Sequence, residues 1–299
     1  MNKIAIVYHR IDGDGLTSYA VLRRALGIQY PEAKIVPFGF NHGDALPELG
    51  GYGKIYIADI ALPAEEMRRL YDENRLVWID HHATSIADAV AGGYSNAPGL
   101  RREGVGACEL CWEYMYAEEV PMFVQLISAY DVFDKKRFDW ESMTLPFQYG
   151  VRQNLGLNPD AFLEALRDGK LMEDKLAWLL SDGRTIVRYV RQGGARAAKT
   201  YGFTVTLAGS IKALCLLTAD FGSIAVEETA RESGCSVIIC ANRLDAESYK
   251  ISCYSTSGDA PIHLGEYLKE TYGGGGHRNA AGTVIGFKEF ESLIREEKI

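Results

Sequence analysis

The stretch Val77–Thr84 reads Val-Trp-Ile-Asp-His-His-Ala-Thr and runs from three apolar residues straight into an acid and two adjacent histidines. A short apolar run of this kind predicts a buried β-strand. The strand would then be followed, at the edge of a sheet, by Asp80, His81 and His82. Chemistry is often placed at that position in α/β proteins.

Two earlier stretches show the same arrangement. Ile4–Tyr8 leads into His9–Gly15, which contains one histidine and two acids, and Lys54–Ala58 leads directly into Asp59. A single Asp or His after a strand is more often a cap or a turn residue than a site residue. A series of such strand ends instead favours one shared crevice, because parallel strands deliver their carboxyl ends to the same edge of a sheet.

The residue types that would meet at this edge indicate a metal site. Carboxylates and imidazoles together suit a divalent ion such as Mn²⁺, whereas Ca²⁺ takes oxygen ligands and structural Zn²⁺ usually takes thiolates. The sequence alone leaves Mg²⁺ and Co²⁺ open.

These motifs resemble those of the DHH phosphoesterases, whose name comes from an Asp-His-His triplet such as residues 80–82. The resemblance extends over nearly the whole chain. Near its end, Gly273–His277 followed by Ala280–Gly282 is similar to the glycine-rich signature of the DHH-associated C-terminal domain. The members most similar in kind degrade very short RNA or remove the 3′-phosphate of 3′-phosphoadenosine-5′-phosphate.

The resemblance implies a site with two divalent ions, for which Mn²⁺ is the expected metal. One ion would be held by His9, Asp12 and Asp59, and the other by Asp14, Asp59, His81 and Asp131. His82 would contact the scissile phosphate, and Asp80 would orient an imidazole. Asp131 is the least distinctive ligand, because Asp134 and Asp139 lie nearby.

The resemblance also implies a substrate-binding region in the C-terminal domain, formed by Gly274, Gly275, Gly276, His277 and Arg278. The glycine run is expected to present backbone N–H groups to an anion. One position departs from the family: Tyr254 stands where members that degrade short RNA carry an arginine. A tyrosine can stack on a base but cannot clamp a phosphate, and Arg243 or Arg278 could compensate. Whether His42 is a site residue or a turn residue stays open.

The fold class predicted is α/β, with a mostly parallel N-terminal sheet flanked by helices, a smaller C-terminal α/β domain, and the active site in the cleft between them. The domains predicted are residues 1–192, a linker at 193–201 beginning at Gly193, and residues 202–299. The first domain is predicted to contain strands at 3–8, 33–38, 54–58 and 76–80 and helices at 16–26, 63–73, 107–118 and 121–130, with a long helix from Glu173. The second is predicted to contain strands at 203–208, 211–217, 236–241 and 249–255 and helices at 222–233, 262–271 and 288–297.

Composition limits the classes of function. The chain has 299 residues, 47% of them hydrophobic, and a net charge of −8. This negative net charge disfavours binding to long duplex nucleic acid. It favours small or short phosphorylated partners, such as short single-stranded RNA or DNA. No apolar run approaches the ~18 residues of a membrane span, so a cytoplasmic protein is expected. Cys108 and Cys111 are expected to pack within a helix, and a homodimer stays open.

The function expected from these observations is metal-dependent hydrolysis of phosphate esters in short oligonucleotides or small nucleotides. Dinucleotides, cyclic dinucleotides and 3′-phosphoadenosine-5′-phosphate are the candidate substrates. Two alternatives remain: a pyrophosphatase or polyphosphatase, and a nucleotide-binding sensor that keeps the metal pocket without turnover.

Overall fold

The computed structural model describes residues 3–167, 169–217 and 222–295. The chain divides into two compact units, Met1–Ile186 and Val187–Ile299. Together they confirm the predicted α/β class, with a parallel sheet in the first unit and a second sheet in the other.

The first unit is built on a four-stranded parallel sheet in the order β2-β1-β3-β4. Its strands are β1 Lys3–His9, β2 Lys34–Phe40, β3 Lys54–Ala58 and β4 Leu76–Ile79. Its helices are α1 Gly13–Gln29, α2 Ala64–Asp72, α3 Ala83–Gly92, α4 Ala107–Met115, α5 Met122–Asp131, a π-helix Trp140–Thr144, α6 Leu145–Asn154 and α7 Pro159–Ala165. The predicted order β-α-β-β-α-β of the first 80 residues is confirmed.

Both faces of this sheet are covered, which explains why its strands are almost continuously apolar. Ile4 and Ile6 of β1 belong to one hydrophobic cluster, together with α1, α4 and α5. Ala5 and Val7 point to the other face and belong to a second cluster with Met67 of α2. The sheet is therefore a rigid central layer whose only polar edge positions lie at the strand ends.

Helix α8, Gly169–Tyr201, runs from the first unit into the second. The predicted linker at 193–201 is therefore wrong, because these residues form the last turns of α8. The glycines that suggested a break have a packing role instead. A Cβ on Gly194 would lie 2.5 Å from the carbonyl oxygen of Ala225, so only glycine allows this approach.

The second unit contains a six-stranded mixed sheet in the order β5-β6-β7-β8-β10-β9. Its strands are β5 Phe203–Leu207, β6 Ile211–Leu217, β7 Val237–Arg243, β8 Ser248–Ser255, β9 Gly275–Gly276 and β10 Ala280–Gly286. Its other helices are α9 Ser223–Glu232, α10 Leu264–Tyr272 and α11 Phe287–Arg295. Of the predicted helix at 288–297, the last two residues lie outside the described residues. In the part of the chain that is described, no helix is long and apolar enough to cross a membrane.

Candidate metal centre

The register of the parallel sheet places the polar strand ends side by side. Tyr8 of β1 is opposite Ala58 of β3, and Ala58 is opposite Ile79 of β4. The next residue on each strand therefore falls in one row, and these residues are His9, Asp59 and Asp80. The convergence expected from the sequence is thus a direct consequence of strand register.

Asp59 occupies the middle of this row in an unusual backbone conformation. Its φ is 60°, in the left-handed region that costs a residue other than glycine about 1 to 3 kcal/mol. Its carboxylate is buried and lies between two imidazoles: Oδ2 is 3.6 Å from Nδ1 of His9, and Oδ1 is 3.2 Å from Nε2 of His81. One carboxylate thereby links two groups of candidate ligands.

The first group consists of His9, Asp12 and Asp59, and the second of Asp14, His81 and Asp131. Within each group, the possible ligand atoms all lie within 4.8 Å of one another. A third, overlapping group joins Asp59 with His81 and His82. The structure therefore brings together all six residues that the sequence singled out as metal ligands, and the assignment of each to an ion stays a prediction.

Asp12 and Asp14 are positioned by the start of α1. Asp12 caps the helix and accepts a hydrogen bond from the N–H of Gly15 at 2.9 Å, so α1 begins at Gly13 rather than at the predicted Leu16. Gly15 is required here, because a Cβ would lie 2.0 Å from the carbonyl oxygen of His9. The tight turn between β1 and α1 thus places both carboxylates beside the end of β1.

Asp14 is fixed by the N-terminus of α4, a feature that the sequence analysis did not find. Its two carboxylate oxygens accept hydrogen bonds from the N–H groups of Ala107, at 2.7 Å, and Cys108, at 2.8 Å. Gly106 allows this contact, since a Cβ there would lie 2.9 Å from Oδ1 of Asp14. Cys108 and Cys111 are buried in α4 as expected, and burial raises the pKa of both thiols, which keeps them protonated.

The residues of this centre fit a divalent cation. Burial and the neighbouring Asp14 carboxylate raise the pKa of Asp59 well above the ordinary value. Burial opposes the charged form of His9, but Asp12 and Asp59 outweigh it and raise the pKa of His9 to about 10. Carboxylates this crowded repel one another unless a cation lies between them.

The orientation of the imidazoles supports the same conclusion. Nε2 of His9 donates to the side-chain oxygen of Asn41 at 3.1 Å, which directs Nδ1 toward the carboxylates. Nδ1 of His9 and Nε2 of His81 are buried, and neither makes a hydrogen bond of normal geometry to any described residue. The nearest carboxylate oxygens are those of Asp12, 2.6 Å from Nδ1 of His9, and Asp131, 3.2 Å from Nε2 of His81. A metal-ligating histidine usually donates its other ring N–H to a partner, as His9 does to Asn41. Asn41 was not singled out from the sequence.

Asp80 organises the two histidines that follow it. Its Oδ1 accepts from the backbone N–H groups of His81, at 2.7 Å, and His82, at 3.2 Å, and lies 2.7 Å from Nδ1 of His82. Asp80 is fully buried, whereas the side chain of His82 is 32% exposed and can reach a substrate. The orienting role expected for Asp80 stays a prediction.

The three acids near the end of α5 differ in their contacts. Asp131 lies 3.2 Å from Nε2 of His81. Asp134 instead accepts backbone N–H bonds from Lys136 and Arg137, and Asp139 caps the π-helix through Ser142. Only Asp131 of the three shares a ligand group with His81. His42 lies in the loop after β2, and burial together with the charges of His9 and His82 lowers its pKa.

The glycine run of the second unit differs from the anion-accepting turn that was expected. The N–H groups of Gly273 and Gly274 donate to carbonyls at the end of α10, and the N–H of His277 donates to the carbonyl of Ala280. Gly275 and Gly276 form the short strand β9. The expectation is wrong for Gly273 and Gly274, because these amides complete the helix cap. The substrate-binding role of Gly274, Gly275, Gly276, His277 and Arg278 stays a prediction.

The positions of Arg243 and Arg278 relative to Tyr254 bear on whether either could replace the arginine that the family carries at this position. Tyr254 is half-buried against the cluster formed by α8, α9 and their face of the sheet. Arg243 is opposite Tyr249, at the far end of β8, and its guanidinium donates to carbonyls of the β7–β8 turn. The suggestion that Arg243 compensates is therefore wrong. Arg278 lies at the same end as Tyr254 and contacts Asp259 at 3.2 Å.

The fold is that of DHH-domain proteins. A DHH-domain protein described as a member of the s1p family of ribosomal proteins has a TM-score of 0.55 at 16% identity, over 99% of this chain and 86% of the other. Exonuclease RecJ bound to manganese has a TM-score of 0.51 at 16% identity, over 97% of this chain and 88% of the other. RecJ from Thermus thermophilus in complex with Mn²⁺ has a TM-score of 0.57 at 16% identity, over 98% of this chain and 51% of the other. No protein-family sequence model matches the chain, and no curated protein matches it by sequence. At such low identity the likeness establishes the fold, which is the one that the Asp-His-His resemblance implied.

Proposed function

We propose that this protein is a metal-dependent phosphoesterase that acts on short oligonucleotides or small nucleotides. The observation that carries the proposal is the position of Asp59, whose two carboxylate oxygens face two different groups of metal ligands. A bridging carboxylate between two ligand groups is the arrangement that a two-metal phosphoryl-transfer site requires.

In this proposal, His9, Asp12 and Asp59 hold one divalent ion, and Asp14, Asp59, His81 and Asp131 hold the other. When bound, such a pair of ions supplies charge stabilisation to the attacking and leaving oxygens of a phosphoryl displacement. Manganese is the ion that we propose, because the mixed set of imidazoles and carboxylates suits it. The RecJ structures of the same fold were solved with Mn²⁺.

His82 is the residue of this chain that we propose to act on the substrate directly. Its partly exposed imidazole would contact the cleaved phosphate, where it can neutralise developing charge or donate a proton to the leaving oxygen. Asp80 would hold the imidazole in place through its contact with Nδ1.

Several observations support a nucleotide substrate. The net charge of −8 disfavours binding of long duplexes, and one neighbour of the same fold is an exonuclease. The proposal assigns the part of the substrate away from the cleaved bond to Gly274, Gly275, Gly276, His277 and Arg278 of the second unit. It also places the protein in the cytoplasm, where its six free cysteines would stay reduced.

The test is product analysis of the purified chain with Mn²⁺ and, in parallel, with excess EDTA. The substrates are a 5′-phosphorylated dinucleotide, 3′-phosphoadenosine-5′-phosphate, cyclic dinucleotides and pyrophosphate. We expect Mn²⁺-dependent cleavage of one nucleotide class. Cleavage of pyrophosphate alone would instead support the pyrophosphatase alternative, and saturable nucleotide binding without product would support the sensor.

The matched variants are Asp59→Asn and Asp134→Asn. We expect Asp59→Asn to abolish both Mn²⁺ binding and turnover, because it removes the charge that both ligand groups share. Asp134 serves only a nearby turn, so Asp134→Asn should retain both properties. Metal-dependent turnover by Asp59→Asn at the wild-type rate would refute the site.

A further inference from the structure

The first unit contains a second feature beside the metal centre, a cavity of about 440 Å³. Its lining comes from the segments that follow three of the four sheet strands. His42 lies two residues beyond the end of β2, Leu62 lies three residues beyond Asp59, and Ser85 lies three residues beyond His82. The cavity is therefore placed along the same edge of the sheet as the ligand groups.

The walls of the cavity are largely apolar. Phe40, Leu62 and Tyr94 are almost fully buried and form its inner part, and the exposed Leu46 lies at its edge. Cavities of ~300 to 1,000 Å³ with apolar walls and a few polar groups are typical of small-molecule sites. This one is large enough for a nucleoside-sized group.

Apart from the imidazole of His42, the polar side chains that line the cavity are acidic or neutral. None of its described lining residues is a lysine or an arginine, whereas two, Asp44 and Asp88, are acids. Asp44 is already engaged, because it accepts from the Arg10 guanidinium at 3.0 Å and from the N–H of Asn41 at 2.8 Å. Asp88 is exposed and makes no hydrogen bond or ion pair within the described part of the chain. It is therefore an acceptor with unused capacity.

This charge distribution decides what can bind there. A phosphate would meet the carboxylate of Asp88 and no lysine or arginine of the described lining, and would be disfavoured. A flat, uncharged ring with amino groups would bury apolar surface and could donate hydrogen bonds to Asp88. The exocyclic amines of adenine, cytosine and guanine have this chemistry, whereas uracil and thymine present an acceptor oxygen at the equivalent position.

We propose that this cavity binds the base next to the cleaved phosphate and that Asp88 selects bases with an exocyclic amine. The inference rests on the proposed function, because the adjacent metal centre supplies the position of the phosphate. It adds a specificity-determining residue in the first unit, separate from the substrate residues assigned to the second unit.

The experiment measures binding and does not depend on turnover. CMP and UMP are titrated calorimetrically into the Mn²⁺-loaded protein, since they differ at the base only in an amine against a carbonyl, and AMP is added as a larger amine-bearing base. We expect CMP and AMP to bind about tenfold more tightly than UMP, the difference of one hydrogen bond to a charged acceptor. Equal affinities of CMP and UMP would overturn the proposal.

Two variants locate the effect. Asp88→Asn should reduce the preference for CMP over UMP to about twofold, because an amide can both donate and accept. Glu65→Gln is the matched control: Glu65 is an exposed acid on the neighbouring helix α2 that does not line the cavity, so the preference should remain. The same loss of preference in both variants would refute the role of Asp88.

A blocking variant tests the cavity itself. Ala64 is an exposed residue of the cavity lining. Ala64→Trp should lower the affinity for all three nucleotides about tenfold and leave Mn²⁺ binding unchanged. Ala87→Trp places the same side chain on an exposed position of α3 outside the lining and should have no effect. Unchanged affinity in Ala64→Trp would show that the base binds elsewhere. If no substrate is cleaved but these binding differences hold, the proposed function fails and the base site stands.

Discussion

At the scale of single residues, the two histidines of the Asp80–His82 triplet make different contacts. His81 faces the carboxylates of the ligand groups, whereas His82 is partly exposed and is held by Asp80. Adjacent residues can serve these different purposes because Asp80 binds both backbone N–H groups and the His82 ring through one oxygen.

This arrangement predicts a selective effect for Asp80→Asn. The amide keeps an acceptor for the backbone but removes the negative charge beside Nδ1 of His82. We expect kcat to fall about 10- to 100-fold, the usual cost of losing an orienting partner, with Mn²⁺ affinity changed less than about twofold. Steady-state kinetics and a Mn²⁺ titration measure the two quantities. A parallel loss of Mn²⁺ affinity would mean that Asp80 acts on the metal ligands rather than on His82, and unchanged kcat would remove its role altogether.

At the scale of elements, the crossing of α6 and α8 depends on two glycines. A Cβ on Gly183 would lie 1.7 Å from the carbonyl oxygen of Pro146, and one on Gly150 would lie 2.0 Å from that of Leu179. Neither glycine has a positive φ, so space rather than backbone conformation excludes a side chain. The two helices approach one another backbone to backbone at this point.

Whether a Gly→Ala substitution raises or lowers the free energy of unfolding tests this explanation. In a free helix, Gly→Ala stabilises by about 0.5 to 1 kcal/mol. We expect Gly183→Ala to destabilise by about 1 to 3 kcal/mol, because the crossing must open. Gly27→Ala in α1 is the control and should stabilise, since its Cβ would meet only the end of the flexible Arg23 side chain, at 3.2 Å. Urea unfolding measures both, and stabilisation by Gly183→Ala would contradict the close crossing.

The same elements show how far the sequence could predict the structure. Strands β1, β3 and β4 were predicted because buried parallel strands are continuous apolar runs, and their order along the chain placed His9, Asp59 and His81 together. Helices α3, α6 and α7 and strands β9 and β10 were not predicted, because their apolar residues show no clear period and tertiary packing decides their conformation. The linker prediction failed at Gly194 because a glycine required by a close helix contact looks, in sequence, like one that ends a helix. The N–H groups that hold Asp14 have no side-chain signal at all.

At the scale of the whole molecule, the metal-free protein carries a concentration of negative charge at one edge of its sheet. Asp12, Asp14, Asp59 and Asp131 lie together there, in a chain whose net charge is already −8. Burial and this repulsion raise the pKa of Asp59 well above its ordinary value. Such a site lowers the stability of the fold until a cation binds it.

Stability should therefore depend strongly on the metal. At a free Mn²⁺ concentration about 100-fold above the dissociation constant, binding adds roughly 2.7 kcal/mol, which corresponds to a rise in Tm of roughly 5 to 10 °C over the protein in EDTA. In EDTA, Asp59→Asn should melt at a higher temperature than the wild type, because the amide has no carboxyl group whose ionisation burial and Asp14 oppose. Mn²⁺ should no longer raise the Tm of this variant. Asp134→Asn should behave as the wild type in both conditions. Scanning calorimetry measures these midpoints, and a Mn²⁺-induced rise in Asp59→Asn equal to that of the wild type would mean that the cation binds without the shared carboxylate.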